Sequence, residues 1–529
     1  MKKLFLSEKK RVFIMIFLML TAASILFATG AREQSASGPV SIEFWALPTS
    51  SEAGPPPANW KAFQIVKEKL NIDWTLTLLP SSAGDRTTKI NAAAAANSLP
   101  DMFYIPRSDL VALINTGTVA AVDSLYSQMP NWVKIYAGAD GREYTTINGK
   151  SYGIPYMGGG QPKNEGMLIR KDWLDKLGLK VPTTTAEFLD VMRAFTFRDP
   201  DGNGRADTYG FGAFLDITAS AEGFGTRLDP LFGAFGVAGT WNLSKTNPGL
   251  NVRKPAFFEA KQFLKTMVDE KIIDPNWVSY QRDDFRAAWK QGRFGIMREN
   301  HSAYGSESNY APFDKNFPNG DWIVLGPPKG PRNELAVGTY TSSYGIIAIS
   351  AKAIQAGKGP AIAKLFEWMA TDEAYYLLGW GEKGVNYNLD AQGAPVVDGL
   401  PDPSKAYTRP EIIPLTQLRG YIQRNTDAEL VSRYPTYKAP TSGKTMSALV
   451  TLREMQSYPW VNVTGVDTLP LPSADLKRFY EQGVMEFITG RRQLTQANWT
   501  AWLAEFDRLG GAEWERAGIA EARANDFLK

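Results

Sequence analysis

Apolar and polar positions alternate through Ser41-Ile42-Glu43-Phe44-Trp45, the two-residue period of a half-buried strand. From Thr49 to Ala58 the chain turns to Ser, Pro and Gly, the composition of a loop. Trp60, Phe63, Val66 and Leu70 then share one helical face behind Asn59, a residue of N-cap type. Ile72, Trp74, Leu76 and Leu78 alternate as a second strand, and an Ala-rich helix is predicted from Lys89 to Ala96. Leu99-Pro100-Asp101 turns into an apolar strand over Met102–Ile105, and a helix from Leu110 to Asn115 ends near Gly117. This β-α-β-α-β-α order predicts a mostly parallel sheet with helices on both faces.

A second unit of the same kind starts near Gly166-Met167-Leu168-Ile169-Arg170. A helix opened by Asp172 stops at Gly178, and Thr184 and Glu187 have capping-box spacing for the next one. Helices are predicted over Phe257–Asp269, Phe285–Gln291 and Ala361–Ala370, and strands over Gly292–Met297 and Tyr344–Ile349. From about Leu430 the chain reads as mostly helical.

The N-terminus changes what the charge means. Lys2, Lys3, Lys9, Lys10 and Arg11 precede an apolar run from Val12 to Phe27, closed by the small residues Ala28, Thr29, Gly30 and Ala31. That order is a secretory signal peptide, and the run is short for a spanning helix; an uncleaved anchor is the alternative. With its single acid, Glu8, removed as well, the net charge of +3 becomes about −1, so no bulk attraction for nucleic acid remains. The chain has 529 residues, 44% hydrophobic and 21% charged, enough for two or more cores. It has no Cys, so an exported form gains nothing from disulfides, and lipid attachment through a Cys thioether is excluded. The one histidine, His301, excludes a multi-His metal site and reads as a surface or loop residue.

Several blocks then resemble a known family. They are Ser41 to Trp45, Leu99-Pro100-Asp101-Met102-Phe103, Ile114 to Asp123, Asn148-Gly149-Lys150-Ser151-Tyr152-Gly153-Ile154-Pro155-Tyr156, Arg170 to Thr184, Trp289 to Met297, and Phe487-Ile488-Thr489-Gly490. In this order and spacing the chain resembles the extracellular solute-binding proteins of ABC importers, family 1. It is similar in particular to alginate-oligosaccharide binders and LplA-type lipoproteins, with Ala31 where the lipid-bearing Cys would stand. The resemblance implies an α/β fold of the two-lobed, type II periplasmic-binding-protein kind, each lobe a mostly parallel sheet flanked by helices, with a helical C-terminal part. Expected boundaries are a signal peptide over 1–31, a tether over 32–40, a first lobe of 41–165 plus 336–380, and a second of 166–335 plus 381–529. The chain would cross between lobes near 160–170, near 335 and near 380. It implies a monomeric exported protein, periplasmic or at the cell surface, that hands a carbohydrate, in the first place an oligosaccharide, to permease subunits.

Two constellations carry the chemistry. In Asp199-Pro200-Asp201-Gly202-Asn203-Gly204-Arg205-Ala206-Asp207, oxygen side chains fall at positions 1, 3, 5 and 9, with Gly204 at the sharp turn of position 6 and the Arg205 carbonyl at position 7. This spacing suits a structural Ca²⁺, and the subgroup resembled has a similar loop; a solvated Asp/Asn/Gly turn is the alternative. For the sugar, aromatic platforms and polar edges are sought where strands end or the lobes should meet: Trp45, Asp101, Tyr156, Trp241, Tyr340, Tyr344, Trp380 and Glu382. Core packing is the alternative for each. A peptide or other small organic solute is the rival cargo. An extracellular polysaccharide-active enzyme is the more distant rival, since no block resembles a glycosidase or lyase signature.

Overall fold

The computed structural model describes residues 38–50, 53–80, 82–136, 142, 144–156, 164–215, 226–339, 345–462, 469, 472–524 and 527–528. The N-terminal segment, Tyr340 and Tyr344 lie outside them.

The first lobe opens with β1 (Val40–Ala46), α1 (Lys61–Leu70), β2 (Ile72–Leu78), α2 (Ala83–Ala95), β3 (Met102–Ile105), α3 (Arg107–Asn115) and β4 (Ile154–Tyr156). The second follows with β5 (Glu165–Arg170), α4 (Thr185–Phe197), β6 (Tyr209–Gly212), α5 (Pro255–Asp269), α6 (Arg282–Lys290), β7 (Phe294–Asn300) and β8 (Trp322–Leu325). After the short strand β9 (Val337–Thr339) come β10 (Gly345–Ile349), α7 (Gly359–Met369) and α8 (Asp372–Trp380). Beyond α9 (Asp427–Arg433) and β11 (Trp460–Asn462), the chain ends in α10 (Ala474–Thr489), α11 (Gln496–Arg508) and α12 (Gly511–Ala524).

The strand order is β2-β1-β3-β10-β4 in the first sheet and β8-β5-β7-β6 in the second. Strands β1, β2 and β3 run parallel, and β10 is antiparallel to both β3 and β4, so four of five strands share a direction. In the second sheet only β5 runs against the rest. Alternation decides what each face buries. Ile42, Phe44 and Ala46 of β1 enter the first core, whereas in β5 Met167 and Ile169 enter one core of the second lobe and Leu168 the other. The capping box at α4 is present: the Thr184 hydroxyl accepts from the Glu187 amide at 3.2 Å, and Glu187 accepts from the Thr184 amide at 3.1 Å. Asn59 is not the cap of α1; Trp60 occupies that position and no side chain caps it, because a Pro57–Trp60 turn starts the helix.

The core assignments correct one expected boundary. Tyr387, Tyr407, Leu418, Tyr421 and Ile422 pack into the first core, so residues 381–422 belong with the first sheet and no crossing occurs near 380. Gly381, at φ +89°, ends α8 and folds the chain back, stacking Tyr387 on Tyr376 at 5.6 Å. The crossing comes later: Ala439, Met446 and Met455 already pack with the second sheet.

Register also fixes which strand ends share an edge in each sheet. β10 starts at the carboxyl end of β3, since Ile346 pairs Ile105, and Gly345 pairs Tyr156 at the end of β4. The edge of Leu47, Arg107, Tyr156 and Gly345 is therefore the one from which the chain leaves and to which it returns. In the second sheet the corresponding edge holds Glu165, paired with Asn300, and the residues following Gly212 and Leu325. The carboxyl ends of the parallel strands in both sheets lie at these two edges, the usual place for a ligand in α/β folds.

Candidate ligand-binding site

At the first edge, Tyr156 packs between Tyr104 (5.1 Å) and Tyr421 (4.5 Å). Gly420 is required beside it, because a Cβ there would lie 2.5 Å from the Tyr156 hydroxyl. The Tyr421 hydroxyl accepts from the Leu47 amide at 2.7 Å, and Gln417 Nε2 donates to the carbonyls of Ser50 and Gly54. The loop after β1 is thus tied to the segment 417–421. Arg107, next to the end of β3, donates to the carbonyls of Tyr144 and Thr146 and pairs with Glu521 of α12 at 3.1 Å. Because α12 packs in the second lobe's core through Trp514 and Ala522, this ion pair joins the two lobes. Burial pushes the Glu521 carboxyl up, and Arg107 opposes that shift.

At the second edge a pocket of about 730 Å³ is lined by Glu165, Phe214, Arg227, Arg286, Asn300 and Ser302, among others. Its charged side chains are positioned by β5 (Glu165), by the 3-10 turn Thr226–Leu228 (Arg227) and by the first turns of α6 (Arg282, Asp283, Arg286). Arg227 lies over the Phe214 ring at 4.8 Å and reaches Glu165 (3.4 Å) and Glu299 (3.6 Å). Arg286 holds Glu299 through Nε and Nη2, at 3.1 and 3.2 Å. Arg298 meets Asp229 at 3.3 Å and Glu165 at 3.5 Å. Such a wall combines an aromatic surface with directional donors and acceptors.

The sequence candidates are distributed unevenly. Tyr156 stands at the first edge. Trp241 is buried in the second lobe, edge-on to Trp514 at 5.3 Å, and borders a second pocket of about 590 Å³ with Asn242, Asn251 and Glu334. Trp45 is half-buried beneath α2, with Lys89 over its ring at 4.6 Å and its indole N–H on Glu43. Three are corrections. Asp101 lies at the amino end of β3, away from the carboxyl edge of its sheet, where it accepts from the Glu43 amide and pairs with Lys358 at 2.8 Å. Trp380 is 0% exposed, packed on Tyr375 and Tyr376. Glu382 pairs with Lys61 of α1 at 2.6 Å on the outer surface.

Gly149-Lys150-Ser151-Tyr152-Gly153 has the spacing of a nucleophile elbow. Its geometry is different: Ser151 is buried in a two-stranded hairpin with Thr146, its amide held by Asp123, and the single histidine belongs to the other lobe.

His301 itself is buried, not at the surface. Its Nδ1–H donates to the Asn164 carbonyl at 3.0 Å, and its ring stands edge-on to Tyr434 at 5.7 Å. Desolvation lowers its pKa to about 4, against a backbone hydrogen bond that raises it. The unfolded chain binds this proton near pH 6.5, so the contribution is complete above that pH and is lost as pH falls towards 4. The loss has an upper limit of about 3 kcal/mol. Denaturant midpoints measured between neutral pH and pH 4 should therefore converge for the native protein and His301→Gln as acid is added; parallel curves would contradict the assignment.

In the Asp199–Asp207 loop, Gly204 adopts φ +74° as the turn requires. Asp199 accepts from the amides of Gly202, Asn203 and Gly204. The Asn203 amide group donates to Asp201 at 2.7 Å and to Asp207 at 3.2 Å, and its Oδ1 accepts from the Arg205 amide. A hydrogen bond with Asp201 lowers the Asp199 pKa, while desolvation raises that of Asp201. The donor types and the turn suit a hard cation. Their spacing does not yet: among the described residues no three His, Cys, Asp or Glu side chains stand close enough to hold a metal ion. In this form the loop is a hydrogen-bonded turn. No helix among the described residues is long and apolar enough to cross a membrane.

The profile of the bacterial extracellular solute-binding proteins matches residues 61–379. The polygalacturonan/rhamnogalacturonan-binding protein YtcQ of Bacillus subtilis is 24% identical over 403 residues, 72% of this chain and 75% of YtcQ. The fructooligosaccharide ABC transporter substrate-binding protein FusA of Streptococcus pneumoniae is 27% identical over 338 residues, 57% of this chain and 60% of FusA. The structure of FusA with kestose matches 92% of this chain and 99% of its own, with TM-score 0.64 at 19% identity; an EF-hand mutant of FusA with fructo-nystose gives 0.63. The alginate-binding protein AlgQ2 gives 0.63 at 15% identity, over 93% of this chain and 98% of its own. The fold is shared with all of them.

Proposed function

This chain belongs to the bacterial extracellular solute-binding proteins, a family of binding proteins and not of enzymes, and from that premise we propose that it captures an oligosaccharide between its two lobes and delivers it to an ABC permease. The observation that carries the proposal is the pocket of about 730 Å³ at the carboxyl edge of the second sheet, where Glu165 pairs with Asn300. Sugars offer apolar C–H faces and rings of hydroxyls. Phe214 and Arg227 supply a flat surface, while Glu165, Arg286, Asn300 and Ser302 supply hydroxyl partners. Trp241 borders the second pocket. The protein works outside the cytoplasmic membrane as a monomer, exported by its N-terminal segment. Relatives named for polygalacturonan and fructooligosaccharide support a carbohydrate cargo.

A thermal-shift screen against oligosaccharides, with recovery of the sugar, tests this. One class should raise the melting temperature and return unchanged, since a ligand at 100 times its Kd adds about 2.7 kcal/mol. A response to peptides alone, or the appearance of shortened sugar, would replace the proposal.

The same proposal assigns Ca²⁺ to the Asp199–Asp207 loop as a structural ion. Asp199, Asp201, Asn203 and Asp207 would hold it through side chains, and Arg205 through its carbonyl. The EF-hand mutant of FusA among the similar structures supports it. Millimolar Ca²⁺ added to the chelator-treated protein should raise its melting temperature by several degrees, and Asp199→Ala should abolish the response. Equal behaviour of the two proteins would leave the loop a simple turn.

A further inference from the structure

Building on the carbohydrate site just proposed, we infer that its cargo is a neutral oligosaccharide, not one that carries uronate or other acidic groups. The charge pairing of the pocket leads to this. To take up a sugar carboxylate, a partly enclosed wall needs a cation whose charge is not already matched, because desolvating an anion against a neutralised pair brings little return. Here four guanidinium groups, Arg227, Arg282, Arg286 and Arg298, face four carboxylates, Glu165, Asp229, Asp283 and Glu299. The contacts match them: Arg286 grips Glu299 with two nitrogens, Arg227 bridges Glu165 and Glu299, Arg298 bridges Glu165 and Asp229, and Arg282 meets Asp283 at 3.2 Å. These eight side chains are therefore neutral as a unit; Lys290, at the end of α6, interacts with Arg286, Glu299 and Asp283 from outside the pocket's lining, and desolvation lowers its pKa.

The pairs behind the pocket wall are also fixed, whereas Arg282 and Asp283 at its rim are 63% and 83% exposed. Arg227, Arg298, Asp229 and Glu299 are all buried, so none of them can swing towards a new anion without leaving its partner alone in a dry site. In the first lobe, Arg107 is held by Glu521. What the pocket still offers is directional but uncharged. Paired guanidinium and carboxylate groups keep spare donors and acceptors, and Asn300, Ser302 and Gln281 add amides and a hydroxyl. Hydroxyl groups satisfy such a wall; a carboxylate faces an acceptor for each donor it meets. The expected cargo thus differs in charge from the polygalacturonan named for YtcQ.

Calorimetric titration of the full-length mature protein with two panels decides the matter. One panel holds neutral fructo-, malto-, galacto-, xylo- and manno-oligosaccharides; the other holds oligogalacturonates and alginate oligomers. The expected result is a neutral ligand bound at least tenfold more tightly than any acidic one, with a Kd that changes less than about twofold between low salt and 0.5 M NaCl, where charge attraction is screened. Tighter or equal binding of an acidic oligomer would overturn the inference while leaving the carbohydrate proposal intact. Binding of neither panel would overturn that proposal, and the inference with it.

Discussion

Glu299→Gln should unfold at markedly lower denaturant than the native protein, with a loss of about 3–5 kcal/mol, the usual result of removing one partner from a buried ion pair. Glu299 is 0% exposed and stands at the end of β7, where Arg286 grips both carboxylate oxygens, Arg227 approaches at 3.6 Å, and the Asn300 amide donates at 2.8 Å. Glutamine keeps the shape. It replaces an acceptor by an amide group that cannot receive from Arg286, and it leaves two guanidinium groups sharing one fewer negative charge in a desolvated wall. The control is Glu382→Gln, which breaks the Lys61–Glu382 pair, where the side chains are 52% and 42% exposed. An exposed pair of this kind contributes at most about 1 kcal/mol. Guanidinium denaturation of both variants, followed by tryptophan fluorescence, measures the difference. Equal losses would mean that the wall tolerates an unmatched charge, and the argument for a neutral cluster would fall with it.

This cluster also marks where the sequence stops being readable. The strand Gly292–Met297 is legible from its apolar run, and so is the capping box at Thr184, because both are local patterns. Arg298 and Glu299 are not. A charged pair closing an apolar strand reads as the strand's exit to solvent, and only the fold brings Asp229 and Glu165 to it across 69 and 133 positions of chain. The available signal is that the two charges follow Ile296 and Met297 directly, with no Gly or Pro between them and the apolar run to turn the chain. Trp380 and Glu382 failed for the opposite reason. Gly379-Trp380-Gly381-Glu382 looks like a break between lobes, yet Gly381 only ends a helix, and the chain after it stays in the same core. Tyr156 closes a strand-like block whose register puts it at the carboxyl edge of the first sheet, where it is buried between Tyr104 and Tyr421. Asp101 sits at the entry to a strand, and in a parallel sheet that is the end opposite the ligand.

A lysine in the second lobe provides the other large expected effect, of opposite sign: Lys261→Met should stabilise the protein by about 1–4 kcal/mol at neutral pH, the range found when buried charge gives way to a well-packed apolar side chain. Lys261 lies on α5 in register with Phe257 and Leu264, the helix face that enters the core, and is 0% exposed. Among the described residues its ammonium has no hydrogen-bond partner; it rests on the Trp499 ring at 3.0 Å and near Phe487 at 4.6 Å. Cation–π contact at a desolvated site contributes about 2 kcal/mol or more, which offsets part of the cost of burial but leaves three N–H donors unsatisfied. Desolvation accordingly holds the pKa well below 10.5. The sign follows from where the proton goes. Below pH 10.5 the unfolded lysine binds a proton that the folded one resists, so the penalty on folding grows as pH falls and fades as pH approaches 10.5. Methionine is unbranched, of similar length and adaptable in shape, so it fills the same channel between the rings without this penalty. Its advantage over the native protein should therefore be greatest at neutral and acidic pH and should shrink in alkali. Denaturant unfolding of both proteins at several pH values reads the difference directly. A methionine variant that is weaker than the native protein, or one whose gain does not change with pH, would show that the ammonium is solvated or paired in solution and that the aromatic channel is not its resting place.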